Sequence, residues 1–158
     1  MPDGWRIAFG IQMCEELKDE LIKFNYLDKY EITTIKEKYG SLRWYDNGYP
    51  IGKLELIGIE EYEDGMPEHN RDTDFYSYVG VENNKAQYKH FKILDRCKVS
   101  DIISKYEKLS ARTCIKCGAP ATKISLGWIS PWCDVCSKDI HDTLMDIDEY
   151  FSEELNNS

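Results

Sequence analysis

The chain has 158 residues, 31% of them charged, with a formal net charge of −9, which leaves room for one modest hydrophobic core plus a small appendage. The acidic balance excludes a generic nucleic-acid coat, which carries a strong basic excess, and no apolar run approaches the roughly 18 residues of a membrane span. The start, Met1-Pro2-Asp3-Gly4-Trp5, lacks the basic-then-apolar order of a signal peptide, so a reducing cytoplasm is the expected setting, where thiols stay free to bind metal.

The first element is predicted as an amphipathic helix from about residue 5 to 25. Ile7, Ile11, Cys14, Leu17, Leu21 and Phe24 step by four, three, three, four and three, while Glu15, Glu16, Lys18, Asp19, Glu20 and Lys23 fall mostly on the other side. Gly10 costs about 1 kcal/mol there relative to alanine, and marks an expected close crossing with another element. Glu31–Lys38 is β-branched, Tyr39-Gly40-Ser41 offers a turn, and Leu42-Arg43-Trp44-Tyr45 resumes as strand, so a hairpin is expected to end at Asp46-Asn47-Gly48. A third strand over Lys53–Glu60 would turn Leu54, Leu56 and Ile59 toward a core.

The acidic stretch 61–74 contains Gly65, Pro67 and Asn70 and reads as an exposed loop. Asp72-Thr73-Asp74 lacks calcium-loop spacing and belongs to that solvated segment. Phe75, Tyr76, Tyr78, Val79 and Val81 suit an aromatic strand. The block 81–113 is the basic part of the chain, with 8 bases against 4 acids. Lys85, Lys89, Lys92 and Arg96 recur at steps of four, three and four, which on a helix forms one basic ridge. Such a ridge is either a solvated face or a docking surface for an acidic partner or phosphate backbone. Ser100-Asp101 is expected to cap a second helix that buries Ile102, Ile103, Tyr106 and Leu109 and runs into Cys114.

The strongest signal is Cys114-Ile115-Lys116-Cys117 followed by Cys133-Asp134-Val135-Cys136, because two such pairs can surround one tetrahedral zinc ion with four thiolates. Four sulfur ligands leave no open position for water or substrate, so the ion is structural; an iron–sulfur cluster or a redox dithiol pair is the alternative. Gly118 allows a tight turn behind the first pair. Ile124, Leu126, Trp128 and Ile129 suit a short hairpin whose apolar side chains cover the metal, and the second pair is expected to open a helix continuing through Leu144, Ile147, Tyr150 and Phe151. Cys14 and Cys97 fall on apolar stripes and read as small buried hydrophobes. His69, His90 and His141 are dispersed, with no metal-ligand grouping, and His141 is expected on the surface of the C-terminal helix.

These elements predict an α+β fold: an N-terminal helix, a small antiparallel sheet, further helices and a C-terminal treble-clef-like zinc module. The expected division is an α+β domain over 1–112 and the zinc module with its C-terminal helix packed on it over 113–158. The segment Ile35-Lys36-Glu37-Lys38-Tyr39-Gly40-Ser41-Leu42-Arg43-Trp44-Tyr45, with Ser110–Pro120, Gly127-Trp128 and the Cys133/Cys136 pair, resembles a loose group of small, mostly uncharacterised proteins of bacteriophages and prophages. The likeness covers the first helix, the hairpin and about 99–136. Residues 49–98 form a longer insertion than that group has, and the resemblance implies a phage or prophage setting without an active site.

No phosphate-cradling glycine loop, nucleophile elbow or histidine-nucleophile pairing occurs in the chain. Acidic pairs are uninformative among 29 acids. If chemistry is present, Glu37, Arg43 and Asp46 around the hairpin are its candidates. The leading expectation is a non-catalytic interaction protein with structural Zn2+ that binds a host or phage protein, such as a defence component, in the bacterial cytoplasm. The alternative is a regulatory nucleic-acid binder using residues 85–112, with its Lys85–Arg96 ridge, and the zinc module.

Overall fold

The computed structural model describes residues 1–156. The chain begins as one helical rod made of α1 (Asp3–Trp5), a π turn (Arg6–Gly10) and α2 (Ile11–Lys23). A π turn is wider than an α turn, so residues four apart stay on one side through it. Trp5, Phe9, Met13, Leu17 and Leu21 accordingly form the buried stripe. This corrects the N-terminal half of the expected face, whereas Leu17 and Leu21 are buried as expected and Phe24 packs against the core. Ile7 is 66% exposed, Ile11 is 76% exposed and Cys14 is also exposed, because the π turn rotates them off the core side. Cys97 is buried, as expected of a small hydrophobe.

The hairpin forms as β1 (Ile32–Lys38) and β2 (Ser41–Asp46), closed by Tyr39-Gly40. Both turn residues have positive φ, +52° and +76°, the conformation a two-residue turn needs to match strand twist. Leu42 and Trp44 of β2 face the rod, and α3 (Val99–Ser110) closes the core from the other side with Val99 and Tyr106. Leu109, expected in that core, is exposed, and the helix lacks a side-chain cap at its start. Glu20 of α2 instead accepts the Lys98 N–H at 2.9 Å, while Glu16 accepts the Tyr106 hydroxyl at 2.8 Å and the Lys105 ammonium at 2.5 Å. The Lys105 hydrogen bond, then that of Tyr106, holds the Glu16 carboxyl below its ordinary value.

The third strand does not join this hairpin. The outer edge of β2 is already occupied: the Leu42 N–H donates to Ser110 Oγ at 2.7 Å and the Trp44 N–H to Glu107 Oε1 at 3.2 Å. β3 (Gly52–Tyr62), β4 (Asp74–Glu82) and β5 (Lys85–Arg96) build a separate antiparallel sheet in the order β3-β5-β4. Its strands pack chiefly on one another, forming an arm on the body, and Leu54, Leu56 and Ile59 are exposed instead of facing a core. The arm is tied at its base by the Cys97 N–H to the Ile51 carbonyl at 2.9 Å and by a Lys23–Asp95 ion pair at 2.9 Å.

The expected basic helix over 85–96 is therefore a strand. Asn83 and Asn84, at φ +51° and +63°, close the β4–β5 hairpin. Lys85, Lys89, Lys92 and Arg96 consequently form no helical ridge, since adjacent strand residues alternate between faces. Lys85 pairs with Glu63 at 3.7 Å, Lys92 with Asp74 at 3.7 Å, and Arg96 with Asp72 and Asp101 at 3.5 Å each.

After α3, β6 (Lys123–Ser125), β7 (Ser130–Trp132) and β8 (Leu144–Asp146) form a small sheet in the order β7-β6-β8, followed by α4 (Ile147–Asn156). Cys136–Asp139 is a single 3-10 turn, so the second cysteine pair does not open the long helix expected. His141 lies exposed before β8, outside any helix. α4 packs back through Arg112, which pairs with Asp148 at 2.7 Å and lies over the Phe151 ring at 4.7 Å. No helix among the described residues is long and apolar enough to cross a membrane.

Candidate metal centre

Cys114 follows the end of α3, where Thr113 and Pro120 form an antiparallel bridge. The Cys114 N–H donates to the Ala119 carbonyl at 2.8 Å and the Gly118 N–H returns to the Cys114 carbonyl at 3.0 Å, curling the first pair into a knuckle. Gly118 takes φ +83°, which only glycine adopts without strain. Cys133 leaves β7 and Cys136 starts the 3-10 turn, with the Cys136 N–H directed at Cys133 Sγ at 3.4 Å. That backbone donor is the main reason the Cys133 thiol is pulled down to about 7, whereas burial pushes Cys136 up. The Ile115 N–H to the Pro131 carbonyl, 3.0 Å, locks the knuckle to the hairpin.

All four sulfurs lie within 4.8 Å of one another. A tetrahedral ion with Zn–S bonds of about 2.3 Å needs sulfurs about 3.8 Å apart, and Cys117 Sγ stands 3.7 Å from Cys133 Sγ. The donors thus fit one ion in number, softness and spacing. The cluster is a structural zinc site. A full set of thiolates leaves no coordination position for substrate, so the ion's contribution is to the fold.

No family model matches the chain, and no curated protein or solved structure matches it significantly.

Glu37, Arg43 and Asp46 are not brought together. Glu37 Oε1 accepts the Gly40 N–H at 2.7 Å and supports the turn, and Asp46 accepts the Tyr30 hydroxyl at 2.8 Å and the Gly48 N–H at 2.9 Å. Arg43 lies opposite Lys36 in the ladder, whereas Glu37 lies opposite Leu42, so the two candidates point to different faces of the hairpin. Trp128, expected to cover the metal, is 74% exposed, while Ile124 is buried.

The arm holds a cluster that dispersed histidines did not reveal. His90 of β5 sets both ring nitrogens at hydrogen-bond distance from carboxylates, Nδ1 from Glu60 of β3 at 2.8 Å and Nε2 from Asp74 of β4 at 2.7 Å, and its side chain is 15% exposed. Tyr76 stacks on the ring at 4.4 Å, His69 lies against Tyr76, and the Tyr62 hydroxyl donates to Glu60. Two ionised carboxylate acceptors require protons on both nitrogens, so below its raised pKa the ring is an imidazolium clamp across all three strands. The Asp74 hydrogen bond, then that of Glu60, raises the His90 pKa. Asp74 and Glu60 are lowered, chiefly by Thr73 and Tyr62 respectively, with His90 adding to both.

The clamp gives the arm a pH optimum. A raised histidine contributes stability below its unfolded value that is lost as pH rises through the folded one; lowered carboxylates contribute above their unfolded values and lose it as pH falls through the folded ones. Protection factors of the β4 and β5 amides, corrected for intrinsic exchange, should be highest between the ordinary carboxylate range and the ordinary histidine value, and should fall as pH rises through the raised histidine value. His90→Gln should remove the high-pH decline while leaving much of the low-pH one, because Thr73 and Tyr62 are the larger causes at Asp74 and Glu60, and an unaltered high-pH limb in the variant would show that other groups govern it.

Proposed function

We propose that this chain is a small phage- or prophage-encoded interaction protein that binds a bacterial protein, such as a defence component, in the host cytoplasm, with zinc holding the binding surface in shape. The observation that carries this reading is the way Trp128 is presented. Its ring is largely in solvent, yet its loop is pinned: Asp142 accepts the N–H groups of Gly127 at 3.1 Å, Trp128 at 3.0 Å and Thr143 at 2.7 Å, and Ser125 Oγ donates to the Trp128 carbonyl at 2.5 Å. The Trp128 N–H is the first of the donors that keep the Asp142 carboxyl below its ordinary range.

A tryptophan carried on a pinned loop needs little backbone ordering on binding, the property of an interface anchor. Exposed Tyr39, at the tip of the β1–β2 hairpin, joins Glu37, Lys38 and Ile129 around the same hollow of ≈ 420 Å³. An aromatic pair with charges beside it suits a protein surface. The nucleic-acid reading loses its main support, because the ridge it used is broken up and three of its four residues are ion-paired with carboxylates.

The test is retention of host proteins by the zinc-loaded chain in nuclease-treated and untreated lysates, run beside Trp128→Ala. The expected result is one stoichiometric protein that survives nuclease and binds the variant at least about 30-fold more weakly, as loss of a 2 kcal/mol anchor requires, with unchanged melting temperature. Recovery of nucleic acid alone would instead favour the regulatory reading, and equal retention by the variant would remove Trp128 from the interface.

A further inference from the structure

The two edges of the β1–β2 hairpin are treated differently. Leu42 and Trp44 direct their N–H groups to Ser110 and Glu107 of α3, away from β1. Directly opposed residues of an antiparallel pair share their bonding state, so Glu37 and Ile35, opposite Leu42 and Trp44, turn their N–H and carbonyl groups outward on the other side. No group among the described residues meets those of Ile35 and Glu37 there. Beside this open edge runs a groove of ≈ 480 Å³ walled by Ile11, Cys14, Ile32, Ile35 and Trp44, with Glu15 and Lys18 among the residues lining it. The N-terminal rod thus carries two apolar stripes, one in the core and a second, including Ile11 and Cys14, that meets this groove.

We infer that a second copy of this chain occupies the edge and the groove. Unpaired strand groups select an extended backbone as their occupant, and β1 is complementary to itself. With a two-fold axis at Ile35, the antiparallel copies place Ile35 against its counterpart, exchanging both hydrogen bonds, and Glu37 opposite Thr33. Lys36 then faces Thr34 and Lys38 faces Ile32, so no like charges stand directly opposed. Lysines that would deter many incoming strands are accommodated in this register. The groove lining carries both signs, which suits an identical copy better than a strongly acidic or basic partner. The product is a continuous β2-β1-β1-β2 sheet across an isologous interface, with the Ile11 and Cys14 stripes covered beneath it.

Light scattering and sedimentation of the zinc-loaded full chain across the micromolar range test this. The expected mass is twice the 18.5 kDa of one chain. Ile11→Lys, at a position already in solvent, and Ile35→Lys should each return the mass to one chain with an unchanged circular dichroism spectrum. Val81→Lys on the arm should leave the doubled mass intact. Cys14 is exposed and lies outside the zinc cluster, so its alkylation should be slow in the wild type and fast in Ile11→Lys. A wild type of single-chain mass throughout, or a doubled mass that survives both Ile11→Lys and Ile35→Lys, overturns the inference.

Discussion

Stripping the zinc with a strong chelator, or replacing Cys133 with serine, is expected to unfold the body of the protein and not only the module that holds the ion. Structural zinc sites contribute about 10–16 kcal/mol of apparent binding free energy in small finger peptides, and a domain of this size has about 5–15 kcal/mol in total. Loss of even half that contribution is comparable with the whole. The route from the site to the core is short. The Gly4 N–H donates to the Ile115 carbonyl at 3.0 Å, and the fully buried Trp5 donates its indole N–H to the Thr113 carbonyl at 3.0 Å. Ile115, between two ligands, packs against the core itself. Thermal unfolding of the holo protein should therefore be one transition for module and body. Hydrogen exchange in the apo form should show lost protection in α2 and β2 as well as in β6 and β7. An apo form that keeps α2 protected at the holo level would mean the module is merely appended.

The zinc ligands were legible because their information is local: two pairs, each spanning one turn of chain, with a glycine where the knuckle must reverse. The first hairpin was legible for the same reason, since Tyr39-Gly40 falls between two β-branched or aromatic runs. The arm was not. Its basic residues step by four, three and four, which imitates a helix face, and that pattern outweighed the Asn83-Asn84 pair, whose readiness to take positive φ was the signal for a turn. Helix and strand periodicity compete over short polar segments, and β5 received its answer from pairing with β3 and β4 on both sides.

The helix face failed for another reason. Ile7, Ile11 and Cys14 do form a regular stripe, but a π turn between residues 6 and 10 changes the phase of everything around it, and nothing local announces such a turn. The His90 clamp depends on the register of three strands, so its members lie 16 and 30 residues from the histidine. Trp128 shows the limit most plainly. The sequence places it in the metal hairpin, but its loop is held by backbone hydrogen bonds to Ser125 and to the distant Asp142, and the ring is left in solvent.

Gly4→Ala is expected to destabilise the protein by about 3–5 kcal/mol, and the sign of the effect separates two accounts of this residue. Gly4 lies in α1, and helix propensity alone predicts that alanine there would stabilise by up to about 1 kcal/mol. Packing predicts the reverse. A Cβ at Gly4 would lie 2.1 Å from the Cys114 carbonyl oxygen and 2.7 Å from that of Ile115, and both obstacles are backbone. The facing residue, Gly118, is equally confined, since a Cβ there would lie 2.6 Å from the Gly4 carbonyl oxygen. Neither segment can yield by rotating a side chain, so the rod must part from the knuckle. That exposes or orphans the Gly4–Ile115 and Trp5–Thr113 hydrogen bonds, each costing about 1–3 kcal/mol when a buried partner is left unsatisfied, in the range of the largest single-residue effects. Because Cys114 is itself a ligand, zinc affinity measured by chelator competition should fall together with the denaturant midpoint. Gly10, expected from sequence to be the close crossing, is the control: its nearest atom to an added Cβ is 3.6 Å away, an ordinary contact, so Gly10→Ala should be neutral or stabilising by about 0.5–1 kcal/mol. A Gly4→Ala protein as stable as Gly10→Ala, with unchanged zinc affinity, would show that the rod does not rest on the knuckle and that the two halves of the fold are coupled elsewhere.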